Sequence, residues 1–152
     1  MRYQYGDDLK WSDPKFDDAA WPEAKDGKIP SPAFNGDGYL WVRYRIPVAA
    51  DYRGPLAVTP LKYANAAIPP YEIWVNGQNV GGHGKLPPRP LVMARPGTLV
   101  FDLPNGLVEP GSTAMVARRI WVPPGWRLSP WEIKKYFLAE IGPRDFLQLR
   151  ER

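Results

Sequence analysis

From Tyr39 to Val48 apolar and polar positions alternate: Leu40, Val42, Tyr44 and Ile46 fall on one side, Trp41, Arg43 and Arg45 on the other. A period of two marks a strand with one face buried, and this is the strongest such signal in the chain. The period recurs in YEIWVNG, which places Tyr71, Ile73 and Val75 inward and Glu72 and Trp74 outward. That run stops on Asn76 and Gly77, a pair suited to a type I′ hairpin turn because both positions need positive φ. QNVGG is the expected return strand. PLAVTPLKY predicts a further strand, in which Pro60 implies an edge position or a bulge. GTLVFDLP alternates through Leu99, Phe101 and Leu103, and TAMVARRIWV is apolar on both faces, as a strand central to a sandwich is. YFLAEIG is the expected last strand. Val42, Tyr44, Ile73, Val75, Leu99, Phe101 and Val116 are predicted to share one core.

The remaining segments read as wrapping and loop. Gly6–Trp21 mixes Asp, Ser and Pro turn formers with the spaced aromatics Trp11, Phe16 and Trp21, which predicts an irregular stretch packed under a sandwich edge. PPGWRLSPWEIKKYF opens from a loop into a helical turn, with Ser129 as N-cap and Pro130 at the first helical position. RDFLQLRER reads as an appended tail. The expected division is therefore one domain over residues 1–142 and a tail over 143–152 that leads to a membrane helix or a further domain in a parent protein.

Composition narrows the class. Nineteen prolines and fourteen glycines in 152 residues break up long helices, while 44% hydrophobic content is too rich for disorder. Many short strands joined by turns fit both facts. The chain has no cysteine, which removes disulfides, thiolate nucleophiles and sulfur-ligated metals. The net charge of +4 is scattered, without the clustered stripe of a nucleic-acid surface, so no nucleic-acid partner is expected. No apolar run approaches the roughly 18 residues that span a bilayer. MRYQYGDDLKW lacks the apolar stretch of a signal peptide, which fits either a cytoplasmic protein or a domain excised from a longer one.

Three segments, WSDPKFDDAAW, GYLWVRYRIPV and YEIWVNGQNVGGHG, resemble in order and spacing the galactose-binding-like jelly roll. That fold includes the sugar-binding domain at the N-terminus of family 2 glycoside hydrolases. The likeness runs from Gly6 to Gly142. RRIWVPPGW followed by FLAEIGPRDF is similar to the end of extracytoplasmic sensor domains of bacterial signalling receptors. The resemblance implies an all-β, jelly-roll β-sandwich that is not an enzyme. It further implies a ligand-sensing, carbohydrate-binding-like ectodomain, periplasmic or at the cell surface, which meets a membrane only through its parent protein. The alternative it implies is an accessory sugar-binding domain of a glycoside hydrolase. In either case the partner is a saccharide or small molecule, and no cofactor is expected.

Candidate chemistry is sparse. His83 is the only histidine, and no HxH or HExxH spacing surrounds it. A small stand-alone enzyme pairing His83 with a carboxylate is the rival from another class. Asp7 with Asp8 and Asp17 with Asp18 are neighbours that suit turn capping better than a glycosidase pair facing across roughly 5–9.5 Å, and no DxDxDG calcium loop is present. Trp41, Arg43, Arg45, Glu72 and Trp74 form the outward set: exposed indoles beside charges could stack on a sugar, or, the favoured reading, an arginine pairs with Glu72 across the strands while terminal segments cover the tryptophans. Two proline-stiffened loops, GHGKLPPRP and PPGWRLSPW, offer His83, Lys85, Arg89, Trp126 and Arg127 as ligand contacts, with Trp41 and Trp74 as the aromatic platform.

Overall fold

The computed structural model describes residues 1–25, 29, 38–60, 67–94, 99–125 and 139–150. Ten strands appear among them: β1 Arg2–Tyr5, β2 Gly38–Pro47, β3 Leu56–Pro60, β4 Ala67–Ile68, β5 Tyr71–Val75, β6 Gln78–His83, β7 Met93–Ala94, β8 Phe101–Asp102, β9 Thr113–Val122 and β10 Ala139–Pro143. A five-stranded antiparallel sheet has the order β1-β2-β9-β5-β6, a three-stranded sheet the order β10-β3-β8, and β4 pairs with β7. The architecture is a jelly-roll β-sandwich.

The two long strands carry the large sheet. β2 and β9 pair over their whole length, from Gly38 opposite Val122 to Pro47 opposite Thr113. β9 also pairs with β5, so it sits in the centre of the sheet, as its two apolar faces require. Leu40, Val42 and Tyr44 from β2, Tyr71, Ile73 and Val75 from β5, and Ala114, Val116, Ile120 and Val122 from β9 point into the space between the sheets. Leu56 and Val58 of β3 and Ile141 of β10 meet them from the second sheet. Asn76 and Gly77 turn the β5–β6 hairpin with φ of 48° and 86°. The Asn76 side chain then ties the turn down, donating to the Leu107 carbonyl and accepting from the Met115 N–H at 2.8 Å each.

Three expectations change. Leu99 is only half-buried, and Phe101, on the two-residue β8, packs against the core from a partly buried position. Pro60 lies at the end of β3, opposite Ala139, and β3 is the middle strand of its sheet; an end position spares it an interior ladder bond. The segment read as a hanging tail folds into a helix, α1 Arg144–Arg150, whose Leu147 is fully buried against β3 and β10.

Candidate functional site

The outer face of the large sheet is covered by a terminal segment, as the favoured reading expects, and is not an open aromatic platform. Trp41 has no exposed surface and Trp74 is 9% exposed, so neither offers a ring to a ligand. The two indoles stack on each other at 5.4 Å and 27°, and the irregular N-terminal segment covers them. Trp11 meets Trp41 edge-on at 6.0 Å and Trp21 at 5.0 Å, while Phe16 packs on Trp21. The expected aromatic platform is thus the floor of a second, smaller core. Edge-to-face and offset-stacked rings are the arrangements that the aromatic quadrupole favours.

Arg43 holds this roof in place. It is 1% exposed, and its guanidinium donates to Asp18 Oδ2 at 2.9 Å and to the carbonyls of Trp11, Asp13 and Phe16. Asp18, itself 4% exposed, is the buried counter-ion, and Arg45 approaches its other oxygen at 3.8 Å. The short aspartates divide between two jobs. Asp8, Asp13 and Asp17 cap local turns by accepting from the N–H two residues on, while Asp7 and Asp18 face arginines of the sheet.

The roof ends at Asp7, and beyond it lies a polar cluster on three adjacent strands. Arg119 of β9 stands between Trp41 of β2 and Glu72 of β5 in the sheet register. Its Nε and Nη2 donate to the two Asp7 oxygens at 2.8 and 2.6 Å, and Asp7 Oδ1 also accepts from the Trp41 indole at 2.9 Å. Nη1 reaches Glu72 Oε2 only at 3.5 Å, and Tyr39 lies under the guanidinium with its ring centroid 4.6 Å from Cζ. Burial works to lower the Arg119 pKa, but the hydrogen bonds and charge of Asp7, with Tyr39 and Glu72, more than offset it and the net shift is upward. Sequence reasoning missed Arg119, because its place beside Glu72 comes from the pairing of strands far apart in sequence.

The neighbouring Arg118 projects the other way, into the sandwich. It is 2% exposed and its Cζ lies 4.0 Å from the Tyr71 ring centroid, a desolvated cation-π contact. Burial pushes the phenols of Tyr71 and Tyr44 up, and the Arg118 charge opposes it without winning. Burial, and then the neighbouring Tyr3, push Tyr5 up to about 12. These raised values favour the neutral phenols of the folded state, so their stabilisation is complete below the ordinary pKa of 10 and is lost as pH climbs toward the folded values. Urea midpoints measured from pH 9 to 12 should therefore fall with pH, and Tyr71→Phe should flatten the decline. An unchanged slope in that variant would refute the assignment.

The sequence-predicted loop residues are split by the structure. His83 ends β6 opposite Tyr71, 6% exposed, with the two ring centroids 6.2 Å apart, so it is an interior packing residue. The loop after it is closed by reciprocal backbone bonds between Lys85 and Leu91, and its Lys85 and Arg89 side chains are exposed. Trp126 and Arg127 lie outside the described residues, as do Ser129 and Pro130. The strands from which the two loops spring are β6 and β9, which flank β5 on either side. Among the described residues no group of three or more His, Asp or Glu side chains could hold a metal, and no helix is long and apolar enough to cross a membrane. A cleft of about 180 Å³ at the opposite end, beside Leu56 and Leu103, has Glu109 as the one charged residue in its lining.

Comparison with known proteins bears on the fold. No family model matches the chain, and no curated protein matches it. Among solved structures, Bacteroides uniformis beta-glucuronidase 2 is similar over 94% of this chain and 16% of its own, at 16% identity and a TM-score of 0.51. A glycosyl hydrolase family 2 member from Bacteroides cellulosilyticus is similar over 83% of this chain and 17% of its own, at 19% identity and a TM-score of 0.47. The chain thus spans about a sixth of the length of these structures. The first of them supports the β-sandwich fold, and at such identity the likeness is one of fold.

Proposed function

We propose that this chain is a non-catalytic, carbohydrate-contacting accessory domain of the kind found in family 2 glycoside hydrolases. The observation that carries the reading is the match of 94% of the chain to one β-sandwich portion, 16%, of a beta-glucuronidase. The design of the outer face agrees with it. The chain closes its aromatic face with its own N-terminal segment and leaves a fixed array of charged side chains at the rim, which suits recognition of a polyhydroxylated ligand. Lys85 and Arg89 on the β6 loop add a second polar edge. His83 is interior, which suits packing against Tyr71 and not proton transfer to a substrate.

The ectodomain of a signalling receptor would have the same fold, and the reading frame of the parent gene separates the two. A second sandwich and a TIM barrel after Arg152 establish the hydrolase context; an apolar run soon after it establishes the receptor, which would place the domain outside the cytoplasm. Two assays on the purified chain test the reading. Glycan-array and calorimetric screening should find a saccharide that binds, and aryl glycosides and esters should not be turned over. Failure to bind any glycan, or turnover that disappears in His83→Ala, would overturn the reading.

A further inference from the structure

We propose that Arg119 and Glu72 form a subsite for two adjacent hydroxyl groups of a saccharide, set on the sheet itself at the rim of the N-terminal roof. The inference rests on the carbohydrate-contacting reading above and assigns it a place that neither end loop includes.

The legs of the cluster are unequal. Asp7 is the strong leg: both of its oxygens are engaged, at 2.6 and 2.8 Å, and the bidentate geometry fixes the plane of the fork. Glu72 adds almost nothing to that. Its contact with Nη1 is 3.5 Å, at the outer limit of a hydrogen bond, and its side chain is 32% exposed. What Glu72 does supply is a carboxylate beside Nη1, whose N–H groups are among the three that Asp7 leaves unused.

Such a pair matches a vicinal diol. One hydroxyl donates to the carboxylate and the next accepts from the guanidinium, so each ligand oxygen finds the complement it needs. The 3.5 Å gap is a weak bond that costs little to open, unlike the short bonds to Asp7. The Arg119 side chain is 18% exposed, so it is not sealed from solvent. Its position is fixed beforehand by Asp7 on one side and the Tyr39 ring on the other, so binding orders few rotamers. Asp7, Glu72 and Arg119 sum to one negative charge, which disfavours an anionic group and selects neutral sugar hydroxyls.

Binding is measured by titrating the isotope-labelled chain with methyl β-glucopyranoside, methyl α-mannopyranoside and methyl β-galactopyranoside while following the Arg119 Nε–H resonance. That signal should shift with at least one of the three glycosides and stay still with its fully O-methylated form, which has no hydroxyl to donate. Glu72→Gln keeps the shape and leaves the Asp7 pin intact; it should weaken binding by about ten- to a hundredfold, the effect of losing a charged hydrogen bond. Its backbone spectrum reports whether the fold is kept, and Glu72→Asp, which retains the charge, should recover part of the affinity. A glycoside bound with equal affinity by wild type and Glu72→Gln, with Arg119 silent, would overturn the subsite and leave the carbohydrate-contacting reading standing. No binding of any glycan by the wild type would overturn both.

Discussion

Arg43→Ala should destabilise the domain by about 3–5 kcal/mol, the cost of breaking a buried ion pair by removing one partner. Asp18 would keep its charge at 4% exposure without the Arg43 guanidinium, and three carbonyls of the roof would lose their donor. A domain of this size has only about 5–15 kcal/mol in total, so the variant should unfold at a much lower urea midpoint. Arg43→Lys should fall between, since one ammonium cannot span the four acceptors that the planar fork reaches. Limited proteolysis gives the local view: cleavage within Gly6–Trp21 should precede cleavage elsewhere. A midpoint shift worth less than about 1 kcal/mol, the scale of a surface pair, would show that the roof does not depend on this residue.

The second large effect is expected at Trp41. Trp41→Ala removes the floor of the small core and should cost about 3–5 kcal/mol, the usual range for a buried aromatic truncated to alanine. Trp11 and Trp74 each lose a ring partner, and Asp7 loses the indole N–H. Trp41→Phe fills most of the volume but cannot make that hydrogen bond, so it should be milder. Near-ultraviolet circular dichroism reports the stacked indoles directly, and its persistence in Trp41→Ala would contradict the packing described.

Much of the scaffold was legible from alternation. β2, β5 with its Asn76-Gly77 turn, and the central β9 follow from periodicity and turn chemistry, which are local properties of the chain. Coverage is not local. Alternation assigns Trp41, Arg43 and Trp74 to the face opposite the core, and it cannot tell whether that face meets water or an irregular segment. The spaced Trp11, Phe16 and Trp21 did mark the N-terminal stretch as a packing element. The four acceptors around Arg43 include three backbone carbonyls, which leave no trace in composition.

Within β9 the adjacent arginines illustrate the same limit. Arg118 and Arg119 look alike in sequence, and strand geometry sends one into the sandwich against Tyr71 and the other to the rim beside Asp7. Which goes where follows from the phase of Val116 and Ile120. The role of Arg119 depends on Glu72 and Asp7, whose positions are set only when four strands have assembled. His83 shows the converse: a lone histidine before a proline-stiffened loop looks available, yet the strand carries its ring inward.

The central place of β9 also orders events during synthesis. β2 is complete once Pro47 has been made, but its partner on the inner side begins only at Thr113. At about 5–20 residues per second the ribosome needs several seconds to cover that interval. Until then β2, with its apolar Leu40, Val42 and Tyr44, has β1 as its one available sheet neighbour, while the β5–β6 hairpin can close early through contacts near in sequence. The nascent chain therefore carries a sticky, half-paired edge through that interval, and Arg43 and Arg45 on that same strand are the charges that discourage another chain from pairing there first.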